Sequence, residues 1–157
     1  MAKRRPTVAH VRCWGGPRPE ERCAEGCIGC GACVEACRLQ AIELGGRGVA
    51  RVLRDVCVGC GLCVRACPQG VIALAPRDAT ILPLCSNHEP GAVARASCAS
   101  SCVACGVCER VCPADAIHVV SECATCDTTA CIACGLCATR CPRGVIHDAD
   151  GLLAPAY

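Results

Sequence analysis

The sequence carries 22 cysteines, and sixteen of them fall into four copies of one pattern, each of which we call a quartet. The copies read CIGCGACVEAC from Cys27, CVGCGLCVRAC from Cys57, CVACGVCERVC from Cys102 and CIACGLCATRC from Cys131. Thiolate sulfur is a soft ligand that suits iron and zinc. Cysteines repeated at a fixed spacing therefore predict metal chemistry, and the spacing itself decides which metal.

Every quartet is spaced Cys-x-x-Cys-x-x-Cys-x-x-x-Cys, the arrangement that binds pairs of [4Fe-4S] clusters. The first three cysteines lie on one curled loop and can point to three corners of a cube. The fourth follows a helical turn, points away and completes the other cluster of the pair. Zinc is the alternative, because Cys-x-x-Cys pairs also form zinc ribbons, but it leaves the third cysteine unexplained. A disulfide framework is a second alternative.

Exchange of the fourth cysteines sets the predicted ligands of four [4Fe-4S] clusters. The sets are Cys27, Cys30, Cys33 with Cys67; Cys57, Cys60, Cys63 with Cys37; Cys102, Cys105, Cys108 with Cys141; and Cys131, Cys134, Cys137 with Cys112. In each module, both quartets then supply ligands to both clusters, so the clusters cross-link the two halves of the module. Clusters and fold should therefore form together, and loss of the metal should unfold the chain.

The residues around the quartets predict a small, loop-rich α+β fold. A glycine after each second cysteine allows a tight turn close to a bulky inorganic group. About one helical turn separates the third and fourth cysteines, and a short apolar pair after the fourth suits a strand. Gly45-Gly46-Arg47-Gly48 predicts a hairpin turn between 41–44 and 49–53, and Asp150-Gly151 predicts another. The expected architecture is two tandem bacterial dicluster ferredoxin-like modules, with short helices and β-hairpins wrapped around the clusters.

The spacing of the quartets predicts how the chain is divided. The first and second quartets begin 30 residues apart and the third and fourth 29 apart, whereas 45 residues separate the second from the third. A proline- and glycine-containing segment lies between the two pairs. We predict an N-terminal tail over 1–19, a first module over 20–76, a linker over 77–96 and a second module over 97–157.

Composition narrows the class of protein. The chain has no Phe, one Trp and one Tyr, so something other than aromatic packing must fill the interior. The Arg4-Arg5 pair is interpreted as a solvated tail, because no apolar segment typical of an export signal follows it. No apolar run is long enough to span a membrane. We therefore expect a cytoplasmic protein with reduced thiols.

Charge and motifs exclude other functions. The formal charge of +2 counts every thiol as neutral, whereas thiolate ligands and oxidised clusters would bring the loaded chain to about −6. A positive surface for nucleic acid is not predicted. No phosphate-binding loop, dinucleotide fingerprint or paired nucleophile and base is present, so we name no catalytic residue.

The isolated histidines are interpreted as surface or turn residues: His10, His88, His118 and His147.

The first quartet differs from the others in two ways. Proline follows the fourth cysteine in the other three quartets, whereas Arg38 follows Cys37, and we expect a local backbone change there. Glu35 also stands between ligands, where the second quartet has Arg65. A nearby cation favours the reduced, more negative cluster. The cluster of Cys57, Cys60, Cys63 and Cys37 should therefore not be the lowest in potential.

Six cysteines lie outside the quartets: Cys13, Cys23, Cys85, Cys98, Cys123 and Cys126. They could be buried or free thiols near the clusters. Alternatively, Cys123-Ala-Thr-Cys126 could bind a fifth metal together with two of the others.

Two segments resemble a known family. The stretch LCSNHEPGAVARASCASSCVACGVCERVCPADAI from Leu84 and the segment VAHVRCWGG from Val8 to Gly16 are similar to the ferredoxin-like C-terminal region of the B subunit of Rnf-type electron transport complexes. We expect the chain to lack the family's N-terminal membrane helix and the additional iron–sulfur segment after it, and Arg38 replaces a usual proline.

The resemblance implies a subunit that is not catalytic alone and that carries electrons for a larger oxidoreductase. Its partners would be ferredoxin, a flavoprotein or subunits of a membrane complex. It would have no membrane span of its own and would lie in the cytoplasm or, through a partner, at the cytoplasmic face of the membrane. A free polyferredoxin and a structural or sensing iron–sulfur module are the alternatives.

Overall fold

A computed structural model describes residues 6–16, 23–155 and 157, so the Arg4-Arg5 pair lies outside the described residues. The described helices are α1 (Ala32–Ala36), α2 (Leu62–Ala66), α3 (Gly91–Ser97), α4 (Val107–Val111) and α5 (Leu136–Arg140). The strands are β1 (Thr7–Val11), β2 (Ile42–Leu44), β3 (Ala50–Val52), β4 (Ile72–Pro76), β5 (Ile81–Pro83), β6 (Ile117–Val120), β7 (Cys123–Cys126) and β8 (Ile146–Asp148). The prediction of a small, loop-rich α+β fold is confirmed. Within the described ranges, no helix has the length and apolar character needed to cross a membrane.

Four of these helices begin at the glycine that follows the second cysteine of a quartet. Their capping glycines all adopt left-handed backbone, with φ of 80° at Gly31, 77° at Gly61, 68° at Gly106 and 72° at Gly135. A side chain at such a position would strain the backbone. Each helix carries the third cysteine and ends just before the fourth. The predicted helical turn and the predicted tight turn at each glycine are both confirmed.

The strands of the described residues form four antiparallel pairs. The predicted hairpin at Gly45–Gly48 is confirmed, because β2 pairs with β3 in the register Ile42 to Val52. β6 pairs with β7 in the same way. The prediction of a second hairpin at Asp150-Gly151 is wrong: a turn follows β8, but β8 pairs with β5 instead. Its partner strand precedes the third quartet, far away in sequence.

The two halves of the chain repeat one arrangement. In the first half β1 and β4 form an outer pair around α1, the β2–β3 hairpin and α2; in the second half β5 and β8 enclose α4, β6–β7 and α5. α3 lies between β5 and the third quartet. The predicted module boundaries, 20–76 and 97–157, leave β1 and β5 outside, yet each of these strands pairs with the last strand of a module.

Cysteines occupy the interior where aromatic side chains are missing. One core cluster joins Val8, Ile42, Val71 and Ile72 with the buried thiols of the first two quartets. A second joins Ile117, Val145 and Ile146 with those of the last two. Because the apolar side chains are small or β-branched, the space between them is left for the thiols and what they bind.

The halves meet through a small set of larger side chains. Trp14 packs against His147, with ring centroids 4.1 Å apart and the ring planes tilted by 38°, and the Arg47 guanidinium lies 5.3 Å from the centre of the Trp14 ring. Arg54 lies over Tyr157 and donates a 2.8 Å hydrogen bond to the Arg77 carbonyl. His147 is thus a core residue of the junction, with only 1% of its surface exposed.

The prediction for the histidines is therefore wrong for two of the four. His10 and His147 are buried, whereas His88 is exposed and His118 is a half-buried surface residue whose side chain is 41% exposed. Burial lowers the pKa of His10 to about 4, helped by the charges of Arg12 and Arg54. The isolated position of His10 in the sequence concealed that it lies in a strand, β1, whose neighbours are buried.

Candidate iron–sulfur centres

The first quartet and one distant cysteine line a single cavity. Its walls include Cys27, Cys30, Cys33 and Cys67, together with apolar side chains from both halves of the first module. Burial raises the pKa of Cys33, and charge on Cys27 and Cys67 adds to the rise. Four thiols around one cavity form a donor set that fits a [4Fe-4S] cluster. The fourth thiol comes from the second quartet, as the exchange pattern requires.

The second and third quartets show the same arrangement. One cavity is lined by Cys37 with Cys57, Cys60 and Cys63, and another by Cys141 with Cys102, Cys105 and Cys108. In each case the structure brings three cysteines of one quartet together with the fourth cysteine of its partner. Both donor sets therefore fit a cluster as the first does.

The fourth group is brought together around the helix α5. The pKa of Cys137 is raised to about 11, mainly by burial and further by charge on Cys131 and Cys112. Cys134 lies on the same loop and is exposed. Cys112 of the third quartet thus lies near Cys131 and Cys137 of the fourth.

Exposure varies within each quartet in a regular way. The second cysteines are exposed: Cys30, Cys60, Cys105 and Cys134. The first and third are buried, except for the half-buried Cys131, and all the fourth cysteines are half-buried. Each quartet therefore has some of its thiols inside the core and one, that of the second cysteine, at the surface.

Backbone N–H groups point at many of these sulfurs. The N–H of Ala41 donates to Cys37 at 3.3 Å and that of Ala116 to Cys112 at 3.2 Å, in the turns that follow the quartets. Further N–H donors reach Cys27, Cys57, Cys131 and Cys141 at 3.4–3.5 Å. Hydrogen bonds to the sulfurs offset thiolate charge and are one of the factors that set cluster potentials.

Arg38 leaves the backbone of the first quartet almost unchanged. Cys37 has φ −87° and ψ 99°, against φ −75° and ψ 113° at Cys67, where proline follows. The difference lies within ordinary scatter for extended backbone. The expected backbone change at Arg38 is therefore wrong, because arginine adopts this extended conformation without strain.

Arginine side chains lie against two of the ligand loops. The Arg110 guanidinium donates a 3.2 Å hydrogen bond to the Cys105 carbonyl, and Arg65 approaches Gly61 in the equivalent loop of the first module. A positive charge here stabilises the extra electron of a reduced cluster. Glu109, next to Arg110, is instead paired with His118 at 3.2 Å.

We predict that Arg110→Gln will lower the reduction potential of the cluster assigned to Cys102, Cys105, Cys108 and Cys141. A unit charge several ångströms away, in a medium of effective dielectric about 20, is worth roughly 1–2 kcal/mol, or tens of millivolts for one electron. Redox titration followed by EPR measures the shift. Arg110→Lys keeps the charge and should retain most of the potential, while Arg65→Gln should lower a different cluster. Equal potentials in Arg110→Gln and the unsubstituted chain would contradict the prediction.

The alternative fifth site at Cys123-Ala-Thr-Cys126 is wrong. Both cysteines lie in β7, three residues apart, and side chains at that spacing in a strand point to opposite faces. Cys123 donates a 3.4 Å hydrogen bond to the Cys85 carbonyl, whereas the pKa of Cys126 is raised by burial and then by Cys131. The two thiols thus belong to different surroundings and cannot share a metal.

Comparison with known proteins agrees with this geometry. Residues 22–74 match a family model described as a 4Fe-4S dicluster domain, residues 56–116 match a second model of that description, and residues 127–147 match a 4Fe-4S binding domain. The fold and the cysteine groups therefore define an iron–sulfur protein built from tandem 4Fe-4S ferredoxin domains. One-electron transfer is the function that these domains support.

Two curated relatives are each 39% identical to the chain. The B subunit of the Na(+)-translocating ferredoxin:NAD(+) oxidoreductase complex of Acetobacterium woodii matches over 67% of this chain and 32% of its own length. The B subunit of the proton-translocating ferredoxin:NAD(+) oxidoreductase complex of Clostridium ljungdahlii matches over 78% and 51%. The resemblance to the Rnf B subunit is confirmed, and the chain spans about half or less of the length of these relatives.

A solved structure is also similar, at a lower level. It is a chain of the formate dehydrogenase, heterodisulfide reductase and formylmethanofuran dehydrogenase complex of Methanospirillum hungatei. The match has 22% identity and a TM-score of 0.32, and covers 78% of this chain and 51% of that one. Similarity at this level has no bearing on function.

Proposed function

We propose that the sixteen quartet cysteines hold four [4Fe-4S] clusters in the four exchanged sets, and that the chain passes single electrons as a subunit of a larger oxidoreductase. When bound, each cluster supplies a one-electron couple. The cysteines hold the iron as thiolates, and the backbone N–H groups of the following turns stabilise their negative charge. Buried apolar side chains keep water from the inner edge of each set.

The observation that carries this proposal is the exposure of the second cysteine in every quartet. A purely structural metal site is usually closed inside its fold. Here Cys30, Cys60, Cys105 and Cys134 bring one edge of each set to the surface. Electron transfer weakens steeply with distance, so a surface edge allows a partner protein to exchange electrons with the cluster. Sets within a module share both quartets, so an electron that enters one can pass to the other.

The relatives indicate which partners to propose. Both are named as subunits of ferredoxin:NAD(+) oxidoreductase complexes. We therefore propose reduced ferredoxin or a flavoprotein as the electron donor and subunits of a membrane complex as acceptors. Under this proposal the chain would lie at the cytoplasmic face of the membrane, held there by its partners.

The proposal is tested on the full chain purified anaerobically from its native source. Reduced ferredoxin should bleach the visible iron–sulfur absorption on a millisecond scale in stopped-flow mixing, and an oxidant should restore it. Size-exclusion chromatography under native conditions should show the chain co-migrating with membrane-complex subunits.

Each alternative predicts a different result. A chain that is reduced rapidly but always migrates alone would be a free polyferredoxin. Clusters that no low-potential donor reduces would identify a structural or sensing module. Either result would overturn part of the proposal, and the two are read from separate measurements.

A further inference from the structure

We propose that Cys13, Cys23, Cys85 and Cys98 bind a fifth [4Fe-4S] cluster, shared between the two modules. These four cysteines belong to no quartet, and neither the family models nor the relatives' names assign them a role. The proposal depends on the assigned quartets only for the baseline number of irons. It concerns a separate site, whose failure would leave the four predicted clusters unaffected.

The four cysteines occupy equivalent places in the two halves of the chain. Cys13 stands two residues after β1 and Cys85 two residues after β5, and these are the first strands of the two outer pairs. Cys23 stands four residues before the first quartet, and Cys98 four residues before the third. Each module therefore contributes one cysteine after its first strand and one before its first quartet.

The fold brings the members of this set together. A Cβ atom on Gly26 would lie 3.3 Å from the Cys13 sulfur and 3.2 Å from the Cys23 sulfur, so these two thiols share one space beside a residue without a side chain. The pKa of Cys23 is raised to about 11, first by burial and then by the neighbouring Cys13, Cys85 and Cys98 sulfurs. The other three thiols thus lie within electrostatic range of Cys23, although Cys13 and Cys98 are 85 positions apart in the sequence.

Hydrogen bonds hold the two modules together around this place. The Ser86 hydroxyl donates to the Glu25 carbonyl at 2.7 Å, and the His88 N–H donates to the Glu25 carboxylate. Asn87, which is fully buried, hydrogen bonds to Ser97 in the last turn of α3. The loop that carries Cys85 is thereby fixed to the loop after Cys23 and to the helix that ends at Cys98.

These thiols also receive the backbone donors that quartet ligands receive. The Cys85 sulfur accepts the N–H of Cys102 at 3.3 Å and that of Asn87 at 3.5 Å. Burial raises the pKa of Cys13, while hydrogen bonds from the N–H groups of Cys27 and Gly15 act against that rise. In both modules, therefore, the first cysteine of a quartet donates its N–H to the cysteine that follows the first strand.

This symmetry predicts where a fifth cluster would lie and what it would do. It would sit beside the set that begins at Cys27 and the set that begins at Cys102, because these residues donate to Cys13 and Cys85. An electron could then cross from one module to the other through a site built by both. Four thiols would lose their protons as the iron–sulfur bonds form, and two ligands from each half would cross-link the modules.

Among the described residues, the four thiols do not form a site for a single metal ion. Across the described ranges, no three Cys, His, Asp or Glu side chains converge closely enough to hold one metal ion, and this is true of the quartets as well. A cubane spreads its four thiolates over the corners of a cube and so needs them further apart than one zinc ion does. The proposed site resembles the quartet sites in this respect.

Iron analysis of the full chain, purified anaerobically, tests the proposal. We expect about twenty irons and as many sulfides per chain, against about sixteen for the quartets alone. Cys98→Ala and Cys13→Ala, which lie in different modules, should each lower the count by about four. The double variant should lose no more than either single variant, since both residues serve one cluster. The number of spins per chain that EPR measures in the reduced protein should fall by the contribution of one cluster.

Cys123→Ala is the matched control. Cys123 is more buried than any of the four proposed ligands and donates a hydrogen bond to the Cys85 carbonyl, but its removal should leave the iron count unchanged. About sixteen irons in the unsubstituted chain would overturn the proposal, whether the four thiols are then free, joined as disulfides or bound to one zinc. A double variant that loses about eight irons would also overturn it, because the two residues would then act on separate clusters.

Discussion

Cys37→Ala will remove the cluster that the second quartet holds and leave the cluster of the first quartet in place. The reason is geometric: Cys37 belongs to the first quartet in sequence but lines the cavity of Cys57, Cys60 and Cys63. A [4Fe-4S] cluster that loses one of four thiolates loses a large part of its binding free energy. We expect iron to fall by about four per chain, measured after anaerobic reconstitution with iron and sulfide.

Double variants show which cluster is lost. Cys60→Ala removes an exposed ligand of the second quartet, and Cys30→Ala removes the equivalent exposed ligand of the first. Exchange predicts that Cys37→Ala with Cys60→Ala costs about four irons, since both ligands serve one cluster. Cys37→Ala with Cys30→Ala should cost about eight. If each quartet were a self-contained site, these two results would be reversed.

The site could be predicted well from the sequence because it depends on local spacing. Two residues between ligands and one helical turn before the fourth are properties of a short segment, so Cys27–Cys37 carries its own geometry. The capping glycines and the Gly45–Gly48 hairpin were predictable for the same reason. Each needs a particular backbone conformation that few residues adopt.

Long-range pairing could not be predicted in the same way. β1 and β5 are short, and only their partners, β4 and β8, make them part of a module. The same limit concealed His10 and His147, which look isolated in sequence but are buried by strand pairing and by Trp14. The cysteines outside the quartets are the strongest case. Cys13 and Cys98 have no shared local pattern, and only the contact between the modules brings them to one place.

Removing iron from the folded chain will unfold it. In the part of the chain that the structure describes, the helices have five to seven residues and the strands three to five, lengths that are not stable alone in water. Each core is built from small apolar side chains packed on cysteines, with no Phe anywhere in the chain. Structural metals in comparably small domains contribute on the order of 10 kcal/mol to folding, more than the whole net stability of many domains.

Iron and folded structure should be lost together, and this loss should be faster at lower pH. Burial raises the pKa of Cys108 and Cys137 to about 11, so each thiolate binds a proton at neutral pH once its iron leaves. Protons therefore compete with iron, and the competition strengthens as pH falls. Far-ultraviolet circular dichroism and visible absorption should decay with one rate when an oxidant and a chelator are added, and this rate should rise from pH 8 to pH 6.

Reconstitution supplies the control for this experiment. Iron and sulfide added back under reducing conditions should restore both signals and release protons, which an indicator dye can follow. A metal-free chain that keeps its circular dichroism and melts cooperatively would contradict the prediction, because the apolar contacts would then suffice. We expect the opposite result, because the thiols occupy the space that aromatic side chains fill in other proteins, and without iron nothing links the cysteines that hold the quartet loops in their left-handed turns.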